Sequence, residues 1–177
     1  MTDFEQFIPN SPSPDYPSEI KTIKGIRNLF DNKVVSQTIE GITFTHNDDG
    51  TVRATGTTGS NPANYNLYNN NFDLKSGTYT LSGCPNGGSS SKYYIGQNIA
   101  SAYGNEFGNG LTFTINSDVS DKSIWLSIRP NQTVDILFKP MLEQGSVAHS
   151  YVPYGTYKKI KVTGKNVLKI ENGDRTG

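Results

Sequence analysis

The segment Ser123-Ile124-Trp125-Leu126-Ser127-Ile128-Arg129 contains the only tryptophan of the 177-residue chain. In an extended strand alternate side chains share a face. Ile124, Leu126 and Ile128 therefore point one way, and Ser123, Trp125, Ser127 and Arg129 point the other. The apolar set is the expected core face. The opposite set joins a large flat ring to two hydroxyls and a guanidinium. Sugars present apolar C–H faces and many hydroxyls, so a site for them needs an aromatic platform flanked by polar groups. Trp125 and Arg129 are accordingly candidate glycan-binding residues. The competing structural reading is that a loop or a neighbouring module covers this face and Trp125 packs beneath it.

Three tyrosines complete the candidate set. Tyr68 alternates with Asn64 and Asn66 on a polar face, while Tyr65 and Leu67 take the core side. Tyr93 and Tyr94 point to opposite faces of their strand, so one is core and the other exposed, and Tyr94 is the candidate. Tyr103 lies in the Gly- and Asn-rich stretch 102–110. Each tyrosine taken alone reads first as structural.

Catalytic sets are weaker. The sequence has no Gly-x-Ser-x-Gly elbow, no His-Glu-x-x-His, and no Gly-rich phosphate loop followed by Lys-Ser/Thr. Gly83-Cys84-Pro85-Asn86-Gly87-Gly88 leads into serines and a strand, not into the helix that phosphate cradling requires. Glu106, Asp118 and Asp121 stand in or beside turn-like segments, where carboxylates are expected to face solvent. Glycoside hydrolysis would require two carboxylates to converge in a cleft. No enzymatic activity is expected, and a cell-wall polysaccharide hydrolase is the least favoured class. The lone Cys84 excludes an intramolecular disulfide and a zinc site built mainly on thiolates. His46 and His149 are far apart in sequence and read as surface or hairpin residues. The carboxylates of Asn47-Asp48-Asp49-Gly50 do not follow EF-hand spacing, and a hairpin turn explains them.

Composition narrows the classes further. Sixteen basic residues balance sixteen acidic ones, unlike the positive footprint selected by nucleic-acid backbones or anionic membranes, so neither partner is expected. The apolar runs are too short for a bilayer-spanning helix, and MTDFEQFIPN has neither the basic region nor the apolar core of a secretory signal. A hydrophobic content of 33% with only 18% charge leaves a surplus of Asn, Ser, Thr, Gly and Tyr, which favours short strands and turns over long helices.

The elements that must position these side chains follow from periodicity. Residues 9–17, with four prolines in nine positions, read as a semi-rigid linker. Gly41–His46 and Thr51–Gly56 alternate on either side of Asp49-Gly50, a strong hairpin signal. Further strands are predicted at Tyr65–Leu67, Thr78–Ser82, Lys92–Gly96, Leu111–Ile115, Ser123–Ile128 and Val134–Lys139, with Met141 and Leu142 in a last core strand. Gly83–Ser91 and Gly104–Gly110 read as loops. The fold class is all-β, a two-layer β-sandwich of jelly-roll type. Ile20–Leu29 is echoed by Ile160–Val167, and Phe4–Pro9 loosely by Tyr151–Tyr154, in the same order. This suggests a tandem array. Residues 1–18 would end one module and its Pro-rich linker, 19–155 would form the sandwich, and 156–177 would be a linker or the start of the next module.

The junction Pro12-Ser13-Pro14-Asp15-Tyr16-Pro17-Ser18-Glu19-Ile20-Lys21 resembles one found in tail and minor structural proteins of phages and prophages of Gram-positive bacteria. Asn28-Leu29-Phe30-Asp31, Gly41–Thr57, Lys75–Tyr94, Lys139-Pro140-Met141-Leu142-Glu143-Gln144-Gly145 and Tyr151-Val152-Pro153-Tyr154 extend the likeness over most of residues 12–155. The resemblance implies a jelly roll similar to carbohydrate-binding modules, carried on a tail fibre or baseplate protein. The implied location is the virion, made in the bacterial cytoplasm and extracellular once released. It implies no defined ligand; the expected partners are a host cell-surface or wall polysaccharide and other tail-protein modules, a homotrimer among the arrangements. It transfers no binding residue. Sandwiches of this general kind often hold a structural calcium ion, but no ligand set is legible here, so no cofactor is expected. The alternative within the same resemblance is a purely structural spacer or oligomerisation module.

Overall fold

The alternation in residues 41–57 folds as the sequence dictates. In the computed structural model, strands β2 (Ile42–His46) and β3 (Val52–Thr57) form an antiparallel hairpin with Phe44 opposite Ala54. Gly50 takes a φ of 82° in the turn. Asp49 accepts bonds from both the backbone N–H and the hydroxyl of Thr51, at 3.0 and 2.6 Å. The Thr51 hydroxyl, with further backbone bonds, holds this carboxyl below its ordinary value despite opposing desolvation. The turn reading of these acidic residues is thus borne out in detail.

The structure describes residues 28–31, 34–68, 73–99, 104–120 and 122–154, apart from the Tyr68 side chain, together with the backbone of 158–163 and 167–172. No helix occurs among them. One sheet has the order β1 (Gln37–Ile39), β2, β3 and β10 (Thr133–Phe138). A second has the order β4 (Ala63–Tyr68), β9 (Ile124–Ile128), β6 (Tyr93–Gln97) and β7 (Gly104–Glu106). A third has the order β11 (Met141–Gln144), β5 (Gly77–Ser82) and β8 (Leu111–Ile115). Every pairing is antiparallel. All the predicted strands are present, including the last core strand, β11. Two are additional. β1 is short, and β7 arises inside a stretch read as loop because Gly104-Asn105-Glu106 pairs with β6. Non-local pairing overrides a composition that locally favours turns.

The first and second sheets face each other across the core. Phe44 stacks flat on Tyr65 with ring centroids 4.7 Å apart, and Tyr93 meets Phe138 edge-on at 6.1 Å. Ile42, Val52, Ala54, Leu67, Ile95, Ile124, Leu126 and Ile128 fill the space between, all fully buried. Burying a side chain of the larger kind stabilises by about 1.5–3 kcal/mol. The sandwich predicted from periodicity is present, while its jelly-roll connectivity stays an expectation of the resemblance.

The first and third sheets share one run of chain. β10 pairs with β3, and after Lys139-Pro140 the chain continues as β11 against β5. At this crossing Lys139 N–H donates to Gly83 O at 2.9 Å. Gly83 has a φ of 107°, and a Cβ there would stand 1.8 Å from Lys139 O, so only glycine fits.

Residues 28–154 cluster as one unit. Asn28 is 1% exposed. Its Oδ1 accepts the N–H of Phe30 at 3.0 Å and of Leu142 at 3.2 Å, while Nδ2 donates to Val152 O at 3.0 Å. Tyr151 donates to Asp49 O in the β2–β3 turn at 2.6 Å. The segments Asn28–Asp31 and Tyr151–Tyr154 of the resemblance therefore meet within this unit. Separately, β12 (Lys158–Thr163) and β13 (Val167–Asn172) pair as a hairpin, with Ile160 opposite Ile170. This hairpin holds the second copy of the sequence echo. The Pro-rich linker and residues 20–27 of the first copy lie outside the described residues.

Candidate functional site

The outward face of the second sheet is built from alternate positions of four strands. β9 pairs with β6 so that Trp125 lies opposite Gly96, and Ser127 opposite Tyr94. β4 flanks β9 on the other side, placing Asn66 beside Trp125 and Asn64 beside Ser127. β7 places Asn105 beside Gly96. One row therefore runs Asn66, Trp125, Gly96, Asn105 across the sheet, and the next runs Asn64, Ser127, Tyr94. Phe107 follows β7 and meets the Tyr94 ring edge-on, with centroids 6.0 Å apart.

Gly96 decides how the tryptophan lies. A Cβ at Gly96 would stand 2.3 Å from Trp125 Cε2, 2.5 Å from Cζ2 and 2.6 Å from Nε1. The indole is thus laid down over the β6 backbone, on the strand that also carries Tyr94. Trp125, Tyr94 and Phe107 are all half-buried, whereas Asn64 and Asn66 are exposed. The arrangement is a shallow aromatic strip bordered by amides, with apolar area for C–H faces and amide donors and acceptors for hydroxyls.

The sequence expectations for this face hold in part. Ile124, Leu126 and Ile128 form the core side and Trp125 the other. Trp125 is half-buried, not freely exposed, because glycine opposite it leaves room for the ring to lie flat. Ser127 is no exposed hydroxyl either: it is fully buried, and its Oγ lacks a hydrogen-bond partner. Arg129 continues the outward face, its N–H bonded to Lys92 O at 2.7 Å. Of the tyrosine pair, Tyr93 turns inward to Phe138 and Tyr94 outward. The backbone register shifts between Asn66 and Tyr68, and Tyr68 pairs with Ile124. The Tyr68 side chain lies outside the described residues, as do Tyr103 and Asp121. Trp125, Arg129 and Tyr94 are therefore brought to one face. No sequence signal marks Phe107, Asn105 or Lys92, because only the pairing register places them there.

A second concavity, a cleft of about 410 Å³, is lined by residues including Cys84, Asn86, Asn109, Lys139, His149 and Tyr151. The nearby carboxylates are occupied in holding loops. Glu106, expected to face solvent, is 1% exposed. This corrects the sequence reading. Glu106 accepts the N–H groups of Cys84 at 2.7 Å, Gly110 at 3.0 Å and also Gly108, which compensates a charge otherwise costly to bury. Glu143 accepts the backbone N–H of His149 at 2.9 Å and stands 2.7 Å from its Nδ1. Burial and the nearby Glu106 push the Cys84 thiol up to about 12, so it is protonated and a poor nucleophile. Asp118, in contrast, is exposed as expected and pairs with Lys75 at 2.8 Å. Among the described residues no three His, Cys, Asp or Glu side chains gather in a metal-holding group, and no helix is long and apolar enough to cross a membrane.

Comparison with known protein families, with characterised proteins and with solved structures finds no match.

Proposed function

We propose that this chain is a non-catalytic glycan-binding module that carries a phage tail fibre or baseplate protein onto a host surface or wall polysaccharide. The observation that supports it is the outward face of the second sheet, where Trp125 lies flat over Gly96 beside Tyr94, with Asn64, Asn66 and Asn105 around them. A platform of rigid rings and short amides suits weak, repeated contacts with a polymer. The phage origin rests on the motif resemblance alone, and binding rests on the platform. The occupied states of Glu106 and Glu143 favour binding over hydrolysis, since both carboxylates already accept bonds from their own chain.

The test is a glycan array that includes Gram-positive wall polysaccharides, probed with the chain and with Trp125→Ala. Binding to a restricted set of glycans, lost in the variant, supports the proposal. Absence of any specific glycan signal sinks it and favours the structural spacer.

A further inference from the structure

We infer that the platform takes a polysaccharide carrying anionic oxygens, with the anionic group docked at Lys92 and Arg129. This rests on the glycan-binding reading above and names the ligand class of that same face. The register that pairs Tyr93 with Ile128 puts Lys92 opposite Arg129, and Arg129 N–H bonds to Lys92 O. Lys92 precedes Tyr94 by two residues on β6's side, and Arg129 follows Ser127 by two on β9's, so alternation sets both on the outward face. Two like charges directly opposite each other in an antiparallel pair repel and weaken it.

Two exposed cations elsewhere in the unit are matched. Arg53 pairs with Asp135 and Lys75 with Asp118, each at 2.8 Å. Among the described residues Lys92, Lys122, Arg129 and Lys139 form no ion pair, and of these Lys92 and Arg129 are the two that stand opposite each other at the end of this sheet. The described outward positions of this sheet carry asparagine, serine, glycine and aromatic side chains, and no carboxylate. Glu106 on β7 is turned inward, and Glu40 accepts from Asn61 Nδ2 at 3.4 Å. The face is therefore neutral along the aromatic strip and positive at one end. Trp125 and Arg129 are four residues apart on one strand, roughly 13 Å at the rise of an extended chain. A short oligosaccharide can stack on the indole and reach the cations together. The shared ligand chemistry is a carboxylate or a phosphodiester, both of which suit a guanidinium fork.

The experiment uses purified Gram-positive wall polysaccharides, immobilised in three forms: native, carboxyl-reduced, and stripped of phosphodiesters with hydrofluoric acid. They are probed with the whole chain, with the Lys92→Gln/Arg129→Gln double variant and with Trp125→Ala. Thermal melts confirm that each variant is folded, and Trp125→Phe serves as a second platform variant. The expected result is binding at least about tenfold weaker after one of the two treatments, with an equal loss for the double variant on the native polymer. Loss on carboxyl reduction identifies a carboxylate, and loss on acid stripping a phosphodiester. Equal binding of native and stripped polymers by both wild type and double variant, with loss only in Trp125→Ala, overturns the anionic inference and leaves the platform standing. Failure of wild type to bind any polymer overturns both.

Discussion

Trp125 lies against Gly96: the ring atom Cε2 occupies a point 2.3 Å from where a Cβ on Gly96 would stand. A glycine in the middle of a strand weakens it, and here its absent side chain is the seat of the indole. Gly96→Ala should therefore lift the ring off β6 without changing any polar group. The expected outcome is a shift in tryptophan emission and weaker glycan binding, with a stability loss of about 1–3 kcal/mol from the displaced ring. Unchanged emission and affinity would contradict the seating.

Trp125→Ala should weaken glycan binding at least about tenfold, which corresponds to about 1.4 kcal/mol. The module should remain folded, since the core face of β9 is carried by Ile124, Leu126 and Ile128. Isothermal titration against a glycan identified on the array, alongside a thermal melt, checks both halves. An unchanged affinity removes Trp125 from the site.

Lys92→Glu should stabilise the fold by about 0.2–1 kcal/mol, because it replaces a like-charge pair with Arg129 by an opposite-charge one. It should at the same time reduce affinity for an anionic polymer. A variant that is both less stable and equally adhesive would show that the two cations do not face each other.

The Asn28 carboxamide ties the first described residues to Leu142 and Val152, more than a hundred positions away in sequence. Asn28→Ala leaves the N–H groups of Phe30 and Leu142 without their acceptor in a buried setting. The expected cost is about 2–6 kcal/mol in urea unfolding, from about 1–3 kcal/mol per unsatisfied group. A change within about 0.5 kcal/mol, as at an ordinary surface position, would mean that solvent replaces these bonds.

Alkaline solution should destabilise the module. Burial raises Cys84 from its ordinary 9.0 to about 12. It likewise raises Tyr151 from 10.0 to about 12. Between the ordinary and raised values the unfolded chain has released a proton that the folded chain retains, so stability falls as pH rises. Cys84→Ser should flatten the stability profile from pH 9 toward 12, and Tyr151→Phe from pH 10 toward 12. Denaturation midpoints measured across that range check this, and identical profiles for the variants and wild type would refute it.

Much of the fold was legible because its signals are local. Asp49-Gly50 between two alternating runs announces the β2–β3 hairpin, and the Ile124, Leu126, Ile128 series sets the face of β9 without reference to any other strand. What stayed hidden depends on pairing. Gly104-Asn105-Glu106 has the composition of a loop and becomes a strand only because β6 offers an edge. Glu106 reads as a turn carboxylate, and its burial depends on N–H groups from Cys84, Gly108 and Gly110. The register shift between Asn66 and Tyr68 leaves no mark on the sequence. The seating of Trp125 on Gly96, and the confrontation of Lys92 with Arg129, likewise require knowing which residues lie opposite.

The central claim is that a glycan stacks on the Trp125 face. Because the chain has a single tryptophan, intrinsic fluorescence reports on that face alone. Titrating the chain with a wall polysaccharide selected on the array should shift or quench the emission saturably, and free oligosaccharide from the same polymer should compete. Saturable binding of that polymer, shown independently by calorimetry, with no change in the emission of Trp125 would place the glycan elsewhere and contradict the claim.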